Sequence, residues 1–142
     1  METNTMLELE RMQQMLLSAH FALGEFLRSG TAIKYGINNT PQSAMVIIRL
    51  MMLCEQVLEP LRLHCGIITI TSGYRCPQLN LAVHGVPGSQ HTLGEAADIV
   101  KQAKAYGVAT FYWMSIFEGT DRSVPQWTLP TVVEAMKKAY NE

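Results

Sequence analysis

The sequence predicts a single α+β domain, a small antiparallel sheet with helices packed on it, and three observations carry that expectation. The first half is rich in apolar residues at helical spacing. From Ile67 onward come short β-branched or aromatic runs, at Ile67–Thr71, Glu95–Val100 and Val108–Phe117. The chain has 142 residues, 48% apolar and 16% charged, which suits one folded domain with a proper core.

Residues 1–19 read as a helical arm, with Met6, Leu9, Met12, Leu16 and Leu17 forming a stripe near helical spacing. The arm is also a candidate dimerisation element, giving a homodimer through this segment. Phe21–Ser29 is a short helix, followed by Gly30–Tyr35 and a loop at Gly36-Ile37-Asn38-Asn39. Thr40-Pro41 makes a helix start, Thr as N-cap and Pro at the first helical position. The helix that follows runs to about Leu63 and is apolar on most sides, so it is expected to be the buried centre, kinked at Pro60. Met45, Met51 and Met52 read as irregular core filling. Ile67–Thr71 is a strand, Pro77–Val83 a helix opened by proline, Gly85–Thr92 a loop, and Glu95–Val100 a second strand. A short helix is expected over Lys101–Tyr106, a strand with a buried Trp113 over Val108–Phe117, a loop over Glu118–Gln126 and an amphipathic helix over Pro130–Tyr140.

Charge and cysteines bound the function. Net charge is −1, so nothing favours a nucleic-acid or anionic-membrane partner. No apolar run is long enough to span a bilayer. The opening METNTMLELE is acidic and lacks a basic-then-apolar leader pattern, so the chain is expected in the cytoplasm or released by phage-type lysis. Three cysteines, Cys54, Cys65 and Cys76, with no CxxC spacing, argue against a disulfide frame or a thiolate zinc knuckle. Cys54 reads as a buried thiol, and Cys76, near the proposed site, has a soft-ligand role only as the lesser reading.

The chemistry concentrates in Ile70–Val100. Two signals stand there: Ser72-Gly73-Tyr74-Arg75 followed by Asn80, and Ser89-x-His91-x-x-Gly94-x-Ala96-x-Asp98. His and Asp are natural zinc ligands. Seven positions apart with Gly94 between, they suit a loop that turns into a strand and points both at one place. Ser89, Gly94, Ala96 and Ala97 are small, as a crowded site needs. Arg75 offers a planar fork of donors for a carboxylate.

SGYR-x4-N followed by SxHxxGxAxD resembles the zinc D-alanyl-D-alanine carboxypeptidases and their phage endolysin relatives. The resemblance covers about residues 21–99, including LGEFLRSGTA, GINNTP and VLEPLR. It implies a DD-peptidase/Hedgehog-like fold over residues 20–142 and hydrolysis of peptide bonds in bacterial cell-wall peptides. By position it implies His91 and Asp98 as zinc ligands, and Arg75 as the group that meets a substrate carboxylate or the developing oxyanion. Ser89 is grouped with Arg75 on the substrate side.

The pattern then departs. The family places its third zinc ligand, a histidine, in a downstream W-x-H segment, with a catalytic carboxylate shortly before it. No histidine follows His91 here, and the nearest echo, Trp127-Thr128-Leu129, puts Leu129 at the ligand position. Glu118 is the carboxylate that follows the aromatic strand, and so the catalytic candidate. Glu118, Asp121 and His84 stand as substitute third ligands, as do His20 and His64 of a second subunit. Zinc is expected weakly held or absent. Three readings follow: a zinc peptidase of peptidoglycan peptides with a substituted third ligand, a degenerate relative that binds cell-wall peptide or a protein partner without cutting, or a chain rearranged after Val100 whose missing ligand comes from His20 or His64 of a second subunit.

Overall fold

A helical half comes first and a sheet follows. The structure is a computed structural model describing the backbone of residues 2–102, 109–115, 117–118 and 121–125, and the side chains of residues 7–64 and 66–100. Helix α1 spans Glu2–Gln14. It stops short of residue 19 because residues 15–23 bond as a tight turn instead. The Leu17 N–H donates to the Phe21 carbonyl at 2.8 Å and the Leu23 N–H to the Met15 carbonyl at 2.9 Å. That turn buries Leu17 and Phe21 and leaves Leu16 outward, 65% exposed. Leu16 was expected in the arm's apolar stripe; it instead forms an isolated bridge with Ala22.

Helices α2 (Leu23–Leu27) and α3 (Gly30–Tyr35) follow. Ser29 caps α3 by accepting from the Ala32 N–H, and Gly36 ends it at φ 65°. Helix α4 spans Ala44–Leu53 and starts three residues later than Thr40-Pro41 suggests. The Ser43 hydroxyl is its cap, accepting from the Met45 N–H at 3.1 Å, while the Thr40 N–H is taken by the Asn38 side chain at 3.0 Å.

At Cys54–Leu58 the helix widens into a π turn before α5 (Glu59–Cys65). Pro60 explains it. A proline has no N–H and its ring crowds the carbonyl four residues back, so a wider turn just before it relieves the clash. The helix is continuous but less buried than its composition implies. Leu50, Leu53, Cys54, Val57, Leu58 and Leu61 form the core, each burial worth about 2 kcal/mol. Met45, Ile48 and Met51 are 48%, 46% and 38% exposed, so Met45 and Met51 are not core filling. The other elements cover one side of this helix, and spacing of three sets these residues on another. Burial pushes the Cys54 thiol up to about 12, which makes it inert.

Strand β1 (Thr69–Ser72), helix α6 (Pro77–Ala82), the one-turn helix α7 (Gln90–Leu93), and strands β2 (Ala96–Gln102) and β3 (Ala109–Ser115) complete the core layer. The sheet is antiparallel in the order β1-β2-β3, with Ser72 opposite Asp98 and Asp98 opposite Trp113. The expected α+β class with a small antiparallel sheet is what the chain adopts.

Three local expectations change. His91 sits on α7 and not in a loop. Lys101 and Gln102 finish β2 instead of starting a helix, and residues 103–106 lie outside the described residues. The segment expected as a loop contains a hairpin of β4 (Phe117–Glu118) and β5 (Asp121–Pro125). The Trp113 side chain and the helix expected at Pro130–Tyr140 lie outside the described residues. Among the described residues no helix is long and apolar enough to cross a membrane.

Candidate functional site

The site begins where β1 ends. The turn at Gly73 and Tyr74 packs directly on α2: a Cβ on Gly73 would lie 2.7 Å from the Phe26 Cα, and the Tyr74 N–H donates to the Phe26 carbonyl at 2.8 Å. Only glycine permits that approach. Asn39 ties the turn down from the other side. Its amide donates to the Leu27 and Tyr74 carbonyls at 3.1 and 2.9 Å, and its oxygen accepts from the Cys76 N–H at 2.7 Å. Cys76 then caps α6, its sulfur accepting from the Leu79 N–H at 3.4 Å. The thiol is buried and committed to that cap, which leaves no ligand role for it.

Ser89 starts α7. Its hydroxyl accepts from the His91 N–H at 3.2 Å and from the Arg75 guanidinium at 3.3 Å. The Arg75 N–H donates to the His91 carbonyl at 3.1 Å, which stitches the two motifs together. Gly94 closes α7 at φ 78°. The chain then enters β2 and delivers Asp98.

His91 is 4% exposed, and its Nδ1 lies 2.7 Å from the Gly73 carbonyl oxygen. A carbonyl only accepts, so Nδ1 carries a proton, and in the neutral ring Nε2 then presents a lone pair. That lone pair faces Asp98 Oδ2 at 3.6 Å, and the Asp98 side chain is 41% exposed. Two electron-rich atoms facing each other across that gap are stabilised by a cation between them. In a tetrahedral zinc site, ligand atoms about 2.1 Å from the metal stand about 3.4 Å apart, so this pair fits one edge of such a site. The carbonyl on Nδ1 is the outer partner that fixes a metal-binding imidazole.

Among the described residues no group of three His, Cys, Asp or Glu residues converges. His84 is exposed in the loop after α6 at φ 59°. His20 is engaged by Glu59, its Nδ1 2.6 Å from Oε1 and its N–H donating to Oε2 at 2.8 Å, and His64 is exposed. Glu118 and Asp121 pair across the β4–β5 hairpin, and their side chains lie outside the described residues. The Arg75 Nε is buried without a hydrogen-bond partner among the described residues.

Three residues here were not found from the sequence. Asn39 was visible only within GINNTP. Arg49 is the one charge in the apolar helix AMVIIRLMML, and Glu95 is an acid inside a run of small residues. Arg49 Nη1 donates to the Leu93 carbonyl at 3.3 Å and its Nε lies 3.9 Å from Glu95 Oε2.

No curated protein and no solved structure matches the chain. A family model described as Peptidase M15 matches residues 19–125, a span that begins after α1 and contains both motifs. The chain belongs to the Peptidase M15 family, whose function is of the zinc metallopeptidase type.

Proposed function

We propose that the chain is a zinc-dependent peptidase of bacterial cell-wall peptides, of the D-alanyl-D-alanine carboxypeptidase or endolysin type. The observation that carries this is the His91–Asp98 pair: a lone pair and a carboxylate facing each other at 3.6 Å, with the far ring nitrogen held by a carbonyl. His91 through Nε2 and Asp98 through its carboxylate hold zinc, which when bound activates water and polarises a peptide carbonyl. Arg75, steadied by Ser89, offers its guanidinium to the substrate's terminal carboxylate. Glu118 takes the proton from the attacking water. With two ligands identified, zinc is weakly held and is lost on purification without added metal.

One observation favours a second reading, a relative that binds cell-wall peptide or a protein partner without cutting: no histidine follows His91. Zinc titration by calorimetry, with His91→Ala as control, and cleavage of a peptide ending in D-Ala-D-Ala separate the two. The first reading expects saturable zinc binding lost in His91→Ala, and metal-dependent cleavage lost in Glu118→Ala. Peptide bound by the zinc-saturated protein without cleavage selects the second reading. No zinc binding at millimolar metal removes the first.

A further inference from the structure

Between the two candidate ligands lies one turn, Thr92–Ala97, and helix α4 grips it at three points. Arg49 Nη1 donates to the Leu93 carbonyl at 3.3 Å. A Cβ on Gly94 would lie 2.7 Å from the Val46 carbonyl oxygen, so the turn rests directly on the α4 backbone. Arg49 Nε lies 3.9 Å from Glu95 Oε2, and Glu95 is fully buried while Arg49 is about a third exposed, at 29%. A buried carboxylate is stabilised by an opposite charge close by. Arg49 supplies that charge and reaches it from an otherwise apolar helix.

We propose that Arg49, acting with Glu95, is a positioning residue for the metal pair: it clamps the turn that sets the His91–Asp98 separation. The inference rests on the zinc reading above and deepens it. The geometry gives the reason. His91 lies on α7 before the turn and Asp98 on β2 after it. Two backbone bonds close the turn on itself, the Gly94 and Glu95 N–H groups both donating to the Gln90 carbonyl, and the sheet takes over where Ala96 pairs with Ser115. The grip from α4 adds the outside contact that seats this closed turn, and with it the step from His91 to Asp98. The bifurcated reach of a guanidinium, one nitrogen to a carbonyl and another to a carboxylate, holds both position and orientation. Partners that bond a ligand directly are typically worth about 10- to 100-fold in metal affinity; Arg49 and Glu95 act through the turn, one step further out, so the loss is expected toward the lower end of that range.

The test compares Arg49→Met, Arg49→Lys and Glu95→Gln with Leu61→Ala, a core variant on α5 away from the turn. Zinc affinity is read by competition with a chromophoric chelator, thermal stability alongside it, and the His91 Nδ1–H resonance by imidazole 15N NMR on the metal-free protein. Positioning predicts that Arg49→Met and Glu95→Gln weaken zinc about tenfold or more. It also predicts that the His91 Nδ1–H signal shifts or broadens in both, and that Arg49→Lys falls between these variants and the parent. Leu61→Ala should lose stability yet keep zinc affinity within twofold and the His91 signal in place. If the Arg49 and Glu95 variants lose stability but keep both zinc affinity and the His91 signal, their role is structural and the inference is overturned. If the parent itself binds no zinc, the zinc reading fails, and the NMR signal in the metal-free variants still decides the clamp.

Discussion

Two histidines in this molecule face carboxylates, and they do so in opposite ways. His20 is half exposed and lies 2.6 Å from Glu59, with its own N–H donating to the same carboxylate. Nothing fits between them; the pair is a direct bond that ties the 15–23 turn to α5. His91 is buried, donates its Nδ1 proton to a backbone carbonyl, and meets Asp98 only at 3.6 Å. The difference lies in the second nitrogen. Where it is pinned to an acceptor, the neutral ring turns its lone pair toward the carboxylate, an arrangement that suits a cation between them. Sequence proximity to an acid says little; the hydrogen bond on the far side of the ring decides what the near side can do.

The largest effect expected from that comparison is on metal. His91→Ala should weaken zinc by about two orders of magnitude or more, and His20→Ala should leave it unchanged, both read by calorimetry. Equal losses in the two variants would dissolve the distinction. Next comes the backbone that carries His91. Gly94→Ala combines a positive φ with an overlap on the Val46 carbonyl and should cost about 3 kcal/mol in urea unfolding. Gly36→Ala, at φ 65° with open space around it, should cost about 1 kcal/mol.

The His20–Glu59 pair should be a modest contributor to stability. Burial pushes the Glu59 carboxyl up, but the Ser18 hydroxyl and His20 outweigh it and hold it below its ordinary value. A depressed carboxyl stabilises the fold above its unfolded-state value of 4.5, and that contribution fades as pH falls through the lower, folded-state value. Glu59→Gln should therefore cost about 1–2 kcal/mol at neutral pH. The gap to the parent should close in acid, measured by thermal melts across that range. A gap that widens toward acid would give the shift the wrong sign. The smallest effect belongs to the outer face of α4, where Met51→Gln should change stability by less than about 0.5 kcal/mol.

Much of the fold was legible in local pattern. Pro77 opening α6, Gly36 closing α3 and the short β-branched run that becomes β1 are each decided by one residue's own conformational limits. The start of α4 was misplaced because Thr40 and Ser43 are both good caps, and the competing Asn38 side chain settles the matter. Met45 and Met51 read as core because composition reports apolarity, while burial depends on which side the other elements cover. In the site, the ligand candidates were readable as a motif. Arg49, Glu95 and Asn39 were not, since each acts on residues from 12 to 46 positions away in sequence; for Arg49 and Glu95 that separation is 46, and an isolated charge in a helix carries no mark of its partner.

By itself, the sequence determined the chemistry that is available: one histidine and one aspartate flanking a glycine turn, an arginine after SGY, and no later histidine to complete the usual set. Residue type fixes which atoms can ligate or donate, and no fold alters that. The tertiary structure alone decided their relation. It set Gly73 against Phe26 so that its carbonyl meets His91, placed Asp98 on the middle strand, and brought Arg49 over the turn. The reason is that an imidazole's free nitrogen, a buried carboxylate's partner and a gap of 3.6 Å are properties of packed neighbours. Packing joins segments that the chain order keeps apart.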